Sequence, residues 1–250
     1  MNTWHNSIIE KYNELDYDSQ VIFMNDGYLE LDESYFPSTT QPTIKLNSRN
    51  VFFRYQAQLY YKTIKEGGVF TGTYLDLSCG RGGGVDFAKD NFNFEKIIGI
   101  DINPNQIQFC KSWCDRVEFL VGSATAIPLP DNSVDVISSI EAFPYYRPYD
   151  AFYEECSRIL KKDGIITMAI PSQINPEFAT EKMHSNFDVI KTIDITKNVT
   201  LACAMSKYIV PYHLNTERTK QDFKNIMFGD ESRYFHNESK YIIVILKKKA

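Results

Sequence analysis

Apolar residues along this chain cluster in short dense runs separated by polar, periodic stretches. Residues 73–78, 96–101, 116–121, 134–139 and 164–170 are short and rich in Val, Ile and Leu, which predicts strands. The intervening stretches near 84–91, 104–114 and 149–161 read as helices. Asn103 and Pro104 supply a cap and a first helical residue for the second of these. Lys161-Lys162-Asp163-Gly164 predicts that the third ends in basic residues and a glycine. Alternating strands and helices predict an α/β fold: a parallel sheet with helices on both faces and ligands beyond the carboxyl ends of the strands. Tyr241–Leu246 reads as a strong closing strand.

Two regions fall outside this alternation. Residues 1–70 hold a helix-like start, a turn-rich stretch from Asp32 to Pro42, and a helix near 48–65 whose Val51, Tyr55 and Leu59 share a face. Residues 172–230 interrupt the sheet, with a sixth strand expected at 187–195 and a helical piece from about 198. The expected organisation is a covering segment at 1–70 and a core at 71–250, of which 172–230 is partly a lid. Covers of this kind keep water from a reactive centre and orient a second substrate.

Composition narrows the picture only slightly. At 250 residues the chain can bury one substantial core. A net charge of −5, with acids and bases interspersed, argues against a nucleic-acid footprint. Lys247-Lys248-Lys249 reads as a solvated tail. No apolar stretch reaches the ~20 residues of a membrane span, and no basic-then-apolar leader is visible at the start. Five cysteines without paired spacing suggest a reducing, cytoplasmic setting and buried thiols. Cys110 and Cys114 sit one helical turn apart, but no Cys/His pair completes a metal set, so no metal is expected. A second copy of the chain is admitted as a partner.

The first strand candidate carries the chemistry. Tyr74-Leu-Asp-Leu-Ser-Cys-Gly-Arg-Gly-Gly-Gly84 is an apolar run with a carboxylate followed by a glycine-dense turn, and Lys96-Ile-Ile-Gly-Ile-Asp101 ends in a second carboxylate. Such a unit makes a socket for an adenosine-containing ligand. Bare backbone permits close approach, and a terminal acid can accept from both ribose hydroxyls. A dinucleotide socket requires G-x-G-x-x-G. Gly80 and Gly82 fit, whereas the third position is Val85 and the extra glycines fall at 83 and 84.

An acid at Asp76 with Gly80-x-Gly82 behind it resembles motif I of the class I S-adenosylmethionine (SAM)-dependent methyltransferases. Gly122-Ser-Ala-Thr-Ala-Ile-Pro-Leu-Pro-Asp-Asn-Ser-Val-Asp135 is similar to that family's G-D-A-x-x-L-P-F-P-D-x-S-F-D, and Arg158-Ile-Leu-Lys-Lys-Asp-Gly164 to its R-x-L-K-P-G-G. Met24-Asn-Asp-Gly-Tyr28 resembles the M-N-x-G-Y of a subgroup acting on small, lipid-like natural products. The resemblance implies a Rossmann-like, seven-stranded, mostly parallel sheet, with SAM as donor and S-adenosylhomocysteine as product. It implies that Asp76 and Gly80 border the methionine part, Gly82 admits close approach, Asp101 holds the ribose, and Ile102 lies on the adenine. Ser123 stands where the family's aspartate receives the adenine amine, with Ala124 as a backbone alternative and turn capping as the other reading of Ser123. Ser139 and Ile140 would flank the sulfonium. Ser78, Cys79 and Gln106 complete the expected cofactor set, with Cys79 a small packing residue facing the cofactor.

Many related O-methyltransferases place a histidine after the fourth strand in E-x-x-H. Here Ile140-Glu-Ala-Phe-Pro-Tyr-Tyr-Arg147 puts Pro144 at that place. Glu141 is then a candidate base, with a bond to the methionine amine or a local structural role as its alternatives. His184 and His213 are further candidates if the inserted segment folds over the acceptor, and surface residues otherwise. Among many aromatics, Tyr28, Phe143, Tyr145 and Tyr146 are expected to line an apolar or aromatic small-molecule acceptor pocket, with core packing as the plain alternative. The expected function is methyl transfer from SAM, at oxygen. Methylation at carbon or nitrogen, a non-methylating reaction such as a cyclisation, a non-catalytic binding role and, last, a nicotinamide enzyme stand as alternatives.

Overall fold

The computed structural model describes residues 3–13, 21–32, 43–172, 186–209 and 240–249. The elements are α1 (Thr3–Asn13), a 3-10 turn (Val51–Phe53), α2 (Arg54–Gly67), β1 (Thr73–Leu77), α3 (Gly83–Asn91), β2 (Lys96–Asp101), α4 (Pro104–Trp113) and β3 (Glu118–Val121). They continue with β4 (Val134–Ile140), a second 3-10 turn (Phe143–Tyr145), α5 (Tyr149–Ile159), β5 (Leu160–Ser172), β6 (Phe187–Asp194), α6 (Thr196–Ile209) and β7 (Lys240–Lys248).

One seven-stranded sheet runs β3-β2-β1-β4-β5-β7-β6. Its pairs are parallel except that β7 lies antiparallel to both β5 and β6. The chain winds from β1 to β3 in one direction and from β4 to β6 in the other. That reversal between β1 and β4 opens a crevice at their carboxyl ends, where α/β sheets bind ligands.

Both faces of the sheet are covered, which explains the near-continuous apolar runs. One face packs on α2, α3, α4 and α6 through Ala57, Tyr60, Val85, Ile107 and Val199. The other packs on α5 through Phe152, Cys156 and Ile159. Period-two alternation sends Tyr241, Ile243 and Ile245 to the first face and Ile242, Val244 and Leu246 to the second. By the same alternation Tyr74 and Asp76 look toward α2, while Leu75 and Leu77 look toward α5.

Several boundaries differ from the sequence reading. The third helix stops at Ile159 rather than 161, because Leu160 already pairs with Val134. Residues 161–164 form an irregularity before Ile165 meets Val136, and Asp163 turns through φ 64°. The third strand starts at Glu118, after Arg116 at φ 59° reverses the chain. On α2 Leu59 is buried together with Ala57, Tyr60 and Ile64, Tyr55 is half-buried, and Val51 is 44% exposed. Val51 lies in a 3-10 turn, whose three-residue period shifts it out of phase with the helix that follows. Because α2 packs directly on the sheet, it is a layer of the core, and Val21, Ile22, Phe23 and Tyr28 of the strap at 21–32 are buried with it. No helix among the described residues is long and apolar enough to cross a membrane.

Candidate functional site

At the end of β1 the chain turns sharply. Ser78 adopts φ 67°, Gly80 φ 52° and Gly82 φ 85°. The Ser78 and Cys79 N–H groups both donate to Ile100 O, at 2.7 and 2.9 Å, which folds the turn back over β2. Asp101 grips the turn from β2: its Oδ2 accepts from Gly80 N at 2.9 Å and its Oδ1 from Asn103 N at 2.9 Å. Burial raises the Asp101 carboxyl above its ordinary range, and these backbone donors offset part of that.

Asp76 is fully buried on β1, and neither carboxylate oxygen has a hydrogen-bond partner. Burial pushes its carboxyl up to about 7; the facing Tyr60 hydroxyl pulls it down, and the nearby Asp101 charge adds to the rise. Gln106, 5% exposed at the start of α4, likewise carries an unpartnered Oε1. Two buried acceptors without donors flank the turn, so the residues present fit a ligand bearing cationic and hydroxyl groups.

The glycines divide their work. A Cβ on Gly83 would come within 2.5 Å of Ile22 O, and one on Gly84 within 2.1 Å of the Tyr60 ring. Those two glycines serve close packing of α3 against α2 and the strap at 21–29. Gly83 N also donates to Ile22 O at 3.0 Å. A helix N-terminus engaged in this way does not offer the open amide cradle that a diphosphate takes. This geometry, together with the missing third glycine, argues against a dinucleotide.

The strap runs from the glycine turn to the far side of the mouth. Arg81 Nε donates to Val21 O, the Met24 methyl lies against Gly80, and Asp26 N donates to Glu141 Oε1 at 2.7 Å. On the opposite side, the Asn103 and Asn105 side chains both donate to Asn13 Oδ1, so the end of α1 rests on the loop after β2. Ile102 is half-buried beside it. Ser123 Oγ lies 3.0 Å from Thr125 Oγ1 and accepts from Thr125 N, the turn-capping arrangement. Ala124 is buried next to it. Arg158 holds this loop by donating to Ile127 O and Leu129 O, at 2.9 and 2.7 Å.

At the end of β4, Ser139 and Ile140 are buried and Glu141 adopts φ 63°. Glu141 Oε1 also accepts from the Tyr241 hydroxyl at 2.6 Å. Burial, then the Asp26 charge, raises the Glu141 carboxyl well above the carboxylate range, against the Asp26 N–H and Tyr241 hydroxyl. Cys79 is no nucleophile, since burial holds its thiol high and Cys110, Asp101 and Asp76 add to this. All five cysteines are buried and free; Cys110 bonds Gly80 O while Cys114 faces Asp86.

The expected acceptor aromatics separate. Phe143 and Tyr146 are 1% and 4% exposed, packed against Phe152 on the α5 face, so they are core residues rather than pocket lining. Tyr28 is also buried; its ring lies under Lys62 on α2 and its hydroxyl faces Glu30. Tyr145 stays half-buried and keeps an open surface. His184 and His213 lie outside the described residues. The sequence reading missed Tyr60, Asp26, Tyr241 and Asn13. Only Asp26 carried a signal, inside Met24-Asn-Asp-Gly-Tyr28; the others reach the site through tertiary packing.

Comparison with known proteins agrees with this geometry. A methyltransferase domain family matches residues 75–168. The chain is 30% identical over 165 residues to the fatty-acid O-methyltransferase of Mycolicibacterium smegmatis, covering 64% of this chain and 57% of that protein. It is 27% identical over 169 residues to the phthiotriol/phenolphthiotriol dimycocerosates methyltransferase of Mycobacterium leprae, covering 64% and 63%. The chain thus spans little more than half the length of these curated relatives. Among solved structures, geranyl diphosphate C-methyltransferase from Streptomyces coelicolor A3(2) superimposes with a TM-score of 0.70 at 16% identity, over 99% of both chains. The (4+2)-cyclase SpnF does so at 0.66 and 17%, over 91% of this chain and 88% of its own. At such identities the likeness is one of fold. Residues 75–168 thus match a methyltransferase domain, and along its length the chain shares the fold of these solved structures.

Proposed function

We infer that this chain moves a methyl group from SAM to an oxygen of a small, lipid-like or aromatic acceptor. Asp76 carries the donor half of this reading. A wholly buried carboxylate faced by a neutral tyrosine hydroxyl is costly unless a cation or stronger donor meets it, and the α-ammonium of SAM supplies one. Asp101 has acceptor capacity beyond the backbone N–H groups of Gly80, Ile102 and Asn103, which suits vicinal ribose hydroxyls. Ile102 and Gln106 would meet the adenosyl part, and Ser139 and Ile140 the sulfonium side. Bound there, SAM supplies a methyl carbon activated by positive sulfur.

The chain itself supplies position, dryness and a proton acceptor. The strap and α1 bridge the mouth from opposite sides and exclude water. Glu141 stands at the end of β4, next to the residues assigned to the sulfonium. In its ionised form its carboxylate can take a proton from an acceptor hydroxyl. The oxygen assignment rests on Glu141, and the names of the relatives support a lipid-like acceptor. The test is incubation with methyl-labelled SAM and long-chain acids, alcohols and phenols. We expect S-adenosylhomocysteine and a product bearing an O-methyl resonance. A C-methyl product, or no turnover across the set, would overturn the oxygen reading.

A further inference from the structure

Two neighbouring strands, β1 and β4, each end in a non-glycine residue with left-handed backbone: Ser78 at φ 67° and Glu141 at φ 63°. Left-handed conformations are unfavourable for side-chain-bearing residues and persist only when surroundings hold them. The Tyr146 phenol oxygen lies 2.8 Å from Leu77 O, 3.0 Å from Ser78 Oγ and 2.9 Å from Ser139 Oγ. Its single proton has one carbonyl to go to, and the two serine hydroxyls face its remaining lone pairs. The ring is fixed by Phe143 and Phe152, with centroids at 6.4 and 4.8 Å. One buried hydroxyl therefore ties the last residue of β1, the first residue of the glycine turn and the end of β4.

We propose that Tyr146 is a positioning residue for the donor site: its hydroxyl holds Ser78 in the left-handed state and so presents the Gly80–Gly82 turn to SAM. This rests on the donor reading above. Tyr146 does not touch the reacting atoms; it acts through Ser78. Sequence placed this tyrosine in the acceptor pocket, whereas its burial and its bonds assign it to the donor side. Tyr153 provides a matched comparison on the same face: it is 1% exposed, yet its hydroxyl makes no hydrogen bond.

The experiment is calorimetric titration with S-adenosylhomocysteine, with thermal unfolding of each unliganded variant as the measure of folding. Tyr146→Phe is expected to bind about tenfold more weakly, while Tyr153→Phe binds as the parent does. Ser78→Ala, half-buried and unable to unfold the core, should lose about fivefold, because it keeps a side chain in the left-handed region without its tether. Ser78→Gly should lose clearly less affinity than Ser78→Ala, because glycine adopts that region freely. Adding Ser78→Gly to Tyr146→Phe should recover most of the lost affinity, which general loosening of the core would not allow. Equal losses for Ser78→Ala and Ser78→Gly would indicate direct ligand contact by the hydroxyl and overturn the proposal. So would parental affinity in both Tyr146→Phe and Ser78→Ala. Absence of binding by the parent chain would overturn the donor reading and the tether together.

Discussion

Asp76 should make donor binding proton-linked. Its carboxyl is pushed up to about 7 from an ordinary 3.8 by complete burial without a partner. At about 1.4 kcal/mol for each pH unit, that gap amounts to roughly 4 kcal/mol of strain on the charged form. Because the folded pKa is raised, the folded chain keeps a proton that the unfolded chain has released between about pH 4 and pH 7. Stability of the free protein therefore falls as pH climbs through that window. A bound ammonium restores the charged carboxylate and reverses the penalty. Donor binding should then release protons below about pH 7 and lose that release above it, where the carboxyl is already ionised. Titration of SAM in two buffers of different ionisation enthalpy reads this directly. Asp76→Asn should abolish the release and weaken binding by roughly 1.5–3 kcal/mol, the range for hydrogen bonds to charged groups. Asp101 and Glu141 also have raised carboxyls, and the difference between parent and variant isolates Asp76 from them. Tight binding by the parent at pH 6 with identical heats in both buffers would refute the assignment.

Further consequences can be checked separately. Glu141→Gln should lower turnover of a hydroxyl acceptor about 100-fold or more while leaving a carboxylic-acid acceptor almost unchanged, because the carboxylic acid arrives already ionised near neutral pH and needs no base; rate–pH profiles of the parent and the variant with both acceptors decide. Gly84→Ala would drive a Cβ to 2.1 Å from the Tyr60 ring and should cost about 1–3 kcal/mol by thermal unfolding. Gly68→Ala, at φ 73° in open space, should cost only about 1 kcal/mol. Asn103→Ala removes the cap on Asn105 N and the bond to Asn13 Oδ1, so a loss of about 1 kcal/mol is expected. Faster proteolysis within α1 should accompany it.

The strand–turn–strand unit was legible because its parts are contiguous and backbone-driven. Asp76, Gly80 and Gly82 sit on one strand-turn unit, and Asp101 ends the strand that pairs with it. Spacing, together with the family resemblance, singled them out. The reason for Gly83 and Gly84 was not legible, since it depends on Ile22 and Tyr60 arriving from the N-terminal region. The aromatic residues misled for a related reason. Phe143, Tyr146 and Tyr28 are large, and large apolar side chains go first to the core. Only their tertiary neighbours distinguish a packed ring from one lining a pocket. Val51 was placed on the buried stripe of α2, where Leu59 does lie, because a 3-10 turn before the helix is invisible to a fixed 3.6-residue period.

This contrast bears on how one sheet can serve different acceptors. The donor socket depends on backbone direction at the ends of β1 and β2, which few substitutions can alter without losing the turn. On the proposed reading the acceptor side would draw on Asp26 from the strap, Gln56 from α2, Glu141 after β4, Cys203 and Ser206 from α6, and Tyr241 at the start of β7. Contacts among them include Asp26 N and Tyr241 to Glu141, Cys203 Sγ to Asp26 O at 3.4 Å, and Gln56 to Ser206 at 3.1 Å. Each can change without disturbing the others' backbone. Gln56 Oε1, wholly buried and without a donor, shows that this side is not fully satisfied by the protein alone. Variation in acceptor chemistry is therefore expected to fall on these five elements, while the carboxylates at the ends of β1 and β2 stay constant.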